Sequence, residues 1–238
     1  MKSYRSIVVL TGAGISAESG IRTFRASDGL WEEHRVEDVA TPEAFAANPA
    51  LVLRFYNERR KQLLQPDLKP NPAHLALAKL EEKLPCKLTV VTQNIDNLHE
   101  RAGSENLIHM HGELLKMFCA ETGRRFVIND SMSLNDRCLC CGKTGTLRPD
   151  IVWFGEIPYR MDEITAALSE CDLFVSIGTS GHVYPAAGFV ELARHSGADT
   201  LEINLEPGQR QNAFHQHLYG RAGDIVPLWA ERMLSATR

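Results

Sequence analysis

At 238 residues, with 44% hydrophobic side chains, the chain has the length of one large domain and enough apolar material for a sizeable core. Its net charge of -4 leaves no basic footprint for nucleic acid. No apolar run approaches the roughly 20 residues that cross a bilayer, the richest stretch being Leu173 to Ile177, so neither nucleic acid nor membrane is expected as a partner.

The chain enters an apolar strand almost at once, leaving no room for a secretory leader, so a cytoplasmic protein is expected. That first strand, Ser6 to Leu10, runs into Gly12, Gly14 and Ala17 in the spacing G-x-G-x-x-A, with Ser16 to Gly20 able to open a helix. Such a turn brings backbone N–H groups up to a pyrophosphate. Taken alone, it fits an ordinary tight strand-to-helix turn equally well. A dehydrogenase would continue with a second strand ending in an acidic residue about 20 residues on. Instead comes ESGIRTFRASDGLW, polar and carrying Arg22, Phe24 and Arg25, better suited to a loop folding over a dinucleotide. Hydride transfer is therefore disfavoured.

The helical stretch LVLRFYNERRKQLL then sets Tyr56 and Arg59 three apart on one face, which by spacing alone fits a solvated Arg beside a half-buried Tyr. A helix over His74 to Lys83 and a strand over Leu88 to Thr92 lead into the polar strand end Gln93, Asn94, Ile95, Asp96, where Asn and Asp are common caps. Four of the six cysteines, Cys119, Cys138, Cys140 and Cys141, crowd one short segment, which in a cytosolic chain favours a metal over disulfides; Cys86 and Cys171 read as core. Beyond it come a helix over Asp162 to Ser169, the strand Leu173 to Ile177, a helix over Ala186 to His195 and a strand over Thr200 to Leu205. This alternation predicts a Rossmann-like α/β core, a parallel sheet covered on both faces. The segments from Arg22 to Pro72 and from Glu113 to Pro149 fit it poorly, and are expected to form a smaller lobe from a helical insertion and a metal-binding module.

Together, GAGISAESGIRTFR, TQNIDNLH, HMHGEL, IVWFGE and GTSGHVYPAAG resemble the sirtuin family, in the family's order and over nearly the whole chain. The resemblance implies one catalytic domain over 1–238, with a core of about 1–33, 71–112 and 150–238 and a small lobe of about 34–70 and 113–149. It implies an NAD-dependent protein lysine deacylase whose partners are acyl-lysine proteins or peptides. NAD is the co-substrate, and the products are nicotinamide, O-acyl-ADP-ribose and free lysine. Gly12, Ala13, Gly14, Ser16, Ala17, Thr23, Phe24, Arg25 and Trp31 look like the cofactor-binding loop. Gln93, Asn94, Ile95 and Asp96 look like the nicotinamide pocket, with Asn94 orienting water and Asp96 receiving the carboxamide. Gly178, Thr179 and Ser180 resemble a second nucleotide turn; Asn204, Leu205 and Glu206 resemble the adenosine ribose site, and Ala222 also falls at the cofactor. The general base is His111, the His immediately before Gly, whereas His109 reads as a structural residue.

The same resemblance has the acyl oxygen attack C1' of the nicotinamide ribose, nicotinamide leave, and His111 deprotonate a ribose hydroxyl. The peptide would add a strand between Val152, Phe154, Gly155, Glu156 and the loop from Gly181 to Tyr184, with Val183 against the lysine stem. Tyr56 and Arg59 resemble the Tyr-x-x-Arg signature of the subgroup that removes malonyl and succinyl groups, whose carboxylate a guanidinium clamps bidentately; deacetylation is expected alongside. The family holds one structural zinc with two C-x-x-C pairs, but here Thr122 stands where the partner of Cys119 belongs. Cys119, Cys138 and Cys141 are the expected ligands, the fourth being Cys140, a water or a group from elsewhere. Two rivals share the nucleotide residues: a mono-ADP-ribosyltransferase, and an NAD or ADP-ribose binding module without turnover.

Overall fold

Apolar, β-branched runs become strands wherever both of their faces can be covered. The computed structural model describes residues 4–22, 30–31 and 34–236. Along the chain, the strands are β1 (Ser6–Thr11), β2 (Leu30–Trp31), β3 (His34–Arg35), β4 (Lys87–Thr92), β5 (Leu107–His109), β6 (Gly112–Cys119), β7 (Arg125–Val127), β8 (Leu147–Ile151), β9 (Leu173–Ile177), β10 (Asp199–Asn204) and β11 (Gln216–Tyr219). Six of these form a sheet in the order β11-β10-β9-β1-β4-β5, and every neighbouring pair in it is parallel.

Period-two alternation explains why β1 is apolar throughout. Ile7 and Val9 join a core with Leu77, Val90, Val175 and Trp229. Val8 and Leu10 join the opposite one with Val91, Phe174, Leu168 and Val190. A sheet buried on both faces needs such runs. The chain leaves β1 toward β4 and β5, then crosses to β9 on the other flank, so strand order reverses between β1 and β9. Open α/β sheets bind their ligands at the carboxyl ends of strands at such a reversal.

The expected Rossmann-like core is therefore present, with differences at its edges. β5 and β11 were not anticipated, nor was the helix Ala222–Ser235 that packs Trp229 on the sheet. The helix after the first glycine turn starts earlier than expected, at Ala13–Ser16, and continues as a 3-10 turn over Ala17–Ser19 that Gly20 ends at φ +93°. Among the described residues no strand of the main sheet lies between β1 and β4, in keeping with the missing dehydrogenase strand; β2 and β3 pair only with each other.

The smaller lobe has two parts. In the helical part, Pro42–Ala47 and Pro49–Leu63 each start on a proline behind a capping side chain: Thr41 Oγ1 accepts from Ala44 N at 3.0 Å, and Asn48 Oδ1 from Leu51 N at 3.1 Å. Proline at the first helical position gives up a donor that has no partner anyway, and such a cap contributes about 1 kcal/mol. The other part is an antiparallel sheet in the order β7-β6-β8. Arg60, wholly buried, ties the two together, donating to Leu114 O at 3.0 Å and Asp130 O at 3.2 Å. No helix among the described residues is long and apolar enough to cross a membrane.

Candidate active site

The carboxyl ends of β1, β4, β9 and β10 open into a cleft of about 810 Å³ that extends under the helical insertion. Its floor is two interlocked turns. Gly12 N donates to Ile177 O at 3.0 Å and Gly14 N to Gly178 O at 2.9 Å. A Cβ on Gly14 would lie 2.7 Å from Gly178 Cα, and one on Gly178, at φ +62°, would lie 2.5 Å from Ile15 N. The glycines thus serve the contact between the two turns as much as the approach of a ligand.

Beside the floor, the turn after β4 carries a buried polar cluster. Asn94 Nδ2 donates to Gly12 O and Ser16 Oγ, both at 3.1 Å, while Asp96 accepts from Ser16 Oγ and Leu98 N, both at 3.0 Å. Burial pushes the Asp96 carboxyl up, and its two hydrogen bonds only partly offset this. Two buried histidines lie behind: His74 Nε2 is 3.4 Å from Ser16 Oγ, and His99 Nε2 is 3.0 Å from Thr11 Oγ1. Lacking a carboxylate partner, both are pushed down by burial, His74 to about 4 and His99 well below the usual imidazole range.

His111 lies at the cleft wall between β5 and β6, its Nδ1 3.1 Å from Gln93 O. A carbonyl can only accept, so Nδ1 carries the proton and Nε2 keeps its lone pair. Burial holds this imidazole below its ordinary range. A neutral, oriented imidazole is what a general base needs. From the helical insertion, Tyr56 and Arg59 line the same cleft. Tyr56 is wholly buried, its hydroxyl accepting from Trp153 Nε1 at 3.0 Å, and burial raises its pKa. Arg59 donates to Phe55 O at 3.0 Å with its guanidinium carbon 4.2 Å above the Phe55 ring.

Residues 12–185 match the family model described as the Sir2 family. This chain belongs to the Sir2, or sirtuin, family. Its similar relatives include the NAD-dependent protein deacylase of Pasteurella multocida (strain Pm70), 62% identical over 96% of this chain and 97% of the relative. That of Escherichia coli (strain K12) is 60% identical over 98% of this chain and 83% of its own. Among solved structures, a Sir2 homologue in complex with NAD superposes with a TM-score of 0.89 at 36% identity, over 99% of this chain and 91% of that one. Sir2 with a p53 peptide and NAD+ superposes at 0.80 and 32%, over 98% and 93%.

Most site residues that the sirtuin resemblance picks out line this one cleft: the described part of the first loop (Gly12, Ala13, Gly14, Ser16, Ala17, Trp31), all of Gln93 to Asp96, the turn Gly178 to Ser180, Asn204 to Glu206, and Ala222. Val152, Phe154 and Val183 line it too. Thr23, Phe24 and Arg25 lie outside the described residues. Gly155 and Glu156 are not part of the cleft wall; the Glu156 carboxylate is held by Arg148 at 2.8 and 2.9 Å and accepts from Trp153 N at 2.8 Å.

Glu202 escaped sequence reasoning. Its buried carboxylate accepts from Gly208 N at 3.1 Å and Tyr219 Oη at 3.2 Å, pinning the turn after β10 to the edge strand β11. The only sequence signal was an acidic residue amid an apolar strand.

The sirtuin cysteine cluster gathers four thiols, not three. The Sγ atoms of Cys119, Cys138, Cys140 and Cys141 all lie within 4.8 Å of one another, with Cys119 to Cys141 at 3.7 Å and Cys138 to Cys140 at 3.2 Å. A tetrahedron with Zn–S bonds of about 2.3 Å has edges of about 3.8 Å, so this donor set fits one structural zinc. Of the candidates for the fourth position, the fold supplies Cys140, with the Thr122 hydroxyl 3.1 Å from its sulfur.

Proposed function

We propose that this chain removes acyl groups from protein lysines at the expense of NAD, and that succinyl and malonyl groups are among its substrates, with acetyl accepted as well. The observation that carries the reading is the meeting, in one cleft, of a neutral oriented imidazole, a buried Asn-Asp turn and a Tyr-Arg pair from the inserted helix. Sirtuin membership and the deacylase names of its relatives support the chemistry. NAD supplies an activated C1' from which nicotinamide departs.

The residues of this chain do the rest. The interlocked glycine turns receive the dinucleotide at the sheet's switch point. The Gln93 to Asp96 turn takes the nicotinamide end, with Asn94 and Asp96 already fixed by Ser16 and so needing little reorganisation on binding. His111 Nε2 accepts the proton of a ribose hydroxyl, its tautomer set by Gln93 O. Val152, Phe154 and Val183 enclose the lysine stem, and at its far end the Arg59 guanidinium faces the acyl carboxylate beside the Tyr56 hydroxyl. The four cysteines would hold a zinc that staples the β7-β6-β8 part of the small lobe. The chain works as one catalytic unit, core and small lobe together forming the cleft.

The test is mass spectrometry of a succinyl-lysine and an acetyl-lysine peptide incubated with and without NAD. Wild type should lose succinyl only with NAD, forming O-succinyl-ADP-ribose, and His111→Ala should abolish this. Arg59→Met should lower kcat/KM for the succinyl peptide about 100-fold while sparing the acetyl peptide, as expected when a charge-assisted bidentate contact is removed. ADP-ribosylated protein in place of deacylated peptide would replace this reading with the transferase. NAD binding without turnover would replace it with the binding module.

A further inference from the structure

His109 lies at the end of β5, two residues before the base, with only 10% of its side chain exposed. Its Nδ1 is 3.3 Å from Asn94 O and its Nε2 is 2.7 Å from Glu100 Oε1. His111 Nδ1 meets the preceding carbonyl, Gln93 O, at 3.1 Å. Two imidazoles on one segment thus grip consecutive carbonyls of the turn that presents Asn94 and Asp96 to the cleft.

Their chemistry differs because their partners differ. A carbonyl and a carboxylate are both acceptors, so His109 satisfies both only by carrying a proton on each nitrogen. His111 has one such partner and keeps a free lone pair. The ionisable groups acting on His109 are Glu100 from the helix Leu98–Ala102, Glu113 from β6 with Lys116 bound to it at 2.6 Å, Asp96 and His99. Burial alone would push His109 down, but the Glu100 bond and charge, with Glu113 behind, hold it above the usual imidazole range.

We propose that His109, anchored on Glu100, is a positioning residue for the nicotinamide end of the site, acting through the Asn94 carbonyl. The proposal rests on reading the 93–96 turn as the nicotinamide pocket. With the carbonyl of Asn94 held from one side, its amide stays on Gly12 O and Ser16 Oγ on the other. Without that hold the turn keeps its bonds through Gln93 O, Ile95 O and Ser16 but loses the anchor at the Asn94 carbonyl, and the aim of Asn94 and Asp96 loosens. A cationic residue is used because a doubly donating ring joins the turn to the helix that follows it, and because its charge favours the ionised form of Asp96.

The experiment is steady-state kinetics of the full chain with an acyl-lysine peptide, NAD and added nicotinamide, comparing wild type, His109→Ala, His109→Asn and Glu100→Gln, with Asp96→Asn as a reference. His109→Ala should raise both the KM for NAD and the nicotinamide inhibition constant about tenfold, the scale of one charge-assisted hydrogen bond, with the peptide KM within about twofold. His109→Asn keeps an N–H toward the Asn94 carbonyl and should recover most of that loss. Glu100→Gln removes the carboxylate that holds the ring above its ordinary range but leaves an amide within reach of Nε2, and Nδ1–H stays on the Asn94 carbonyl, so its KM for NAD should rise less than that of His109→Ala.

An unchanged NAD KM and nicotinamide inhibition in His109→Ala would overturn the proposal. So would equal losses in every parameter without rescue by Asn, the mark of a purely structural role. If Asp96→Asn leaves nicotinamide inhibition untouched, the pocket reading itself fails and the proposal falls with it. If only the His109 variants are silent, the pocket stands and the positioning role does not.

Discussion

Lowering the pH from 7 to 5 should destabilise this fold through two buried imidazoles that have no carboxylate partner. His74 accepts from Asn71 N on Nδ1 at 3.3 Å and faces Ser16 Oγ with Nε2, so its neutral tautomer is built in. His99 meets Thr11 Oγ1 on one nitrogen and has no hydrogen-bond partner among the described residues on the other, and the two rings lie 4.9 Å apart. The unfolded chain binds protons near the ordinary imidazole value of about 6.5, protons the folded chain refuses until well below it, at about 4 for His74. Their stability contribution is therefore complete above about pH 6.5 and falls as the pH drops toward 4. At pH 5 the linkage amounts to about 2 kcal/mol for His74, with His99 adding in the same direction, a sizeable part of the 5–15 kcal/mol typical of a domain. The assay is urea unfolding at pH 7 and pH 5, comparing wild type with His74→Gln/His99→Gln. Because His109 and Asp96 are shifted upward and work in the opposite sense, the informative quantity is the difference between the two proteins. Wild type should lose about 2 kcal/mol or more beyond the double variant; losses equal within about 1 kcal/mol would refute the reasoning.

Two further outcomes follow from the geometry. Cys140→Ser should release zinc to a chelator at least about tenfold faster than wild type in a metal-content assay; retention unchanged would mean that the fourth ligand is not Cys140. Gly178→Ala, which forces a Cβ to within 2.5 Å of Ile15 N at φ +62°, should weaken NAD binding about tenfold or more by calorimetry and lower the melting temperature by several degrees; wild-type affinity would show that the interlock does not shape the floor.

The central strands were legible because each is a continuous apolar run, which only a sheet covered on both faces needs. β5 and β11 were not: Leu107–His109 is three residues long, and Gln216–Tyr219 is an edge strand whose pattern is mostly polar. The helix Ala222–Ser235 passed unnoticed even though Trp229 and Met233 recur at helical spacing. Among the site residues, Asn94, Asp96 and His111 stood out only in the company of their motifs, since each alone reads as a cap or a satisfied histidine. Glu202, His74 and His99 carried no spacing signal at all; their importance is a matter of burial, which a single sequence does not display. The fourth cysteine shows the same limit. C-L-C-C leaves open which sulfur faces inward, and only the fold brings Cys140 to the other three.

Tyr56 and Arg59 ride on an inserted helix, whereas His111, the Asn-Asp turn and the glycine floor all hang from the sheet. The part that would recognise the acyl group is thus separate in the chain from the part that would break the bond. If the pair selects the acyl group as proposed, exchanging residues along Pro49–Leu63 would retarget the cleft to longer, uncharged or bulkier acyl chains while the rest of the site stays as it is. Selection, natural or in the laboratory, then has a short stretch of sequence on which to diversify.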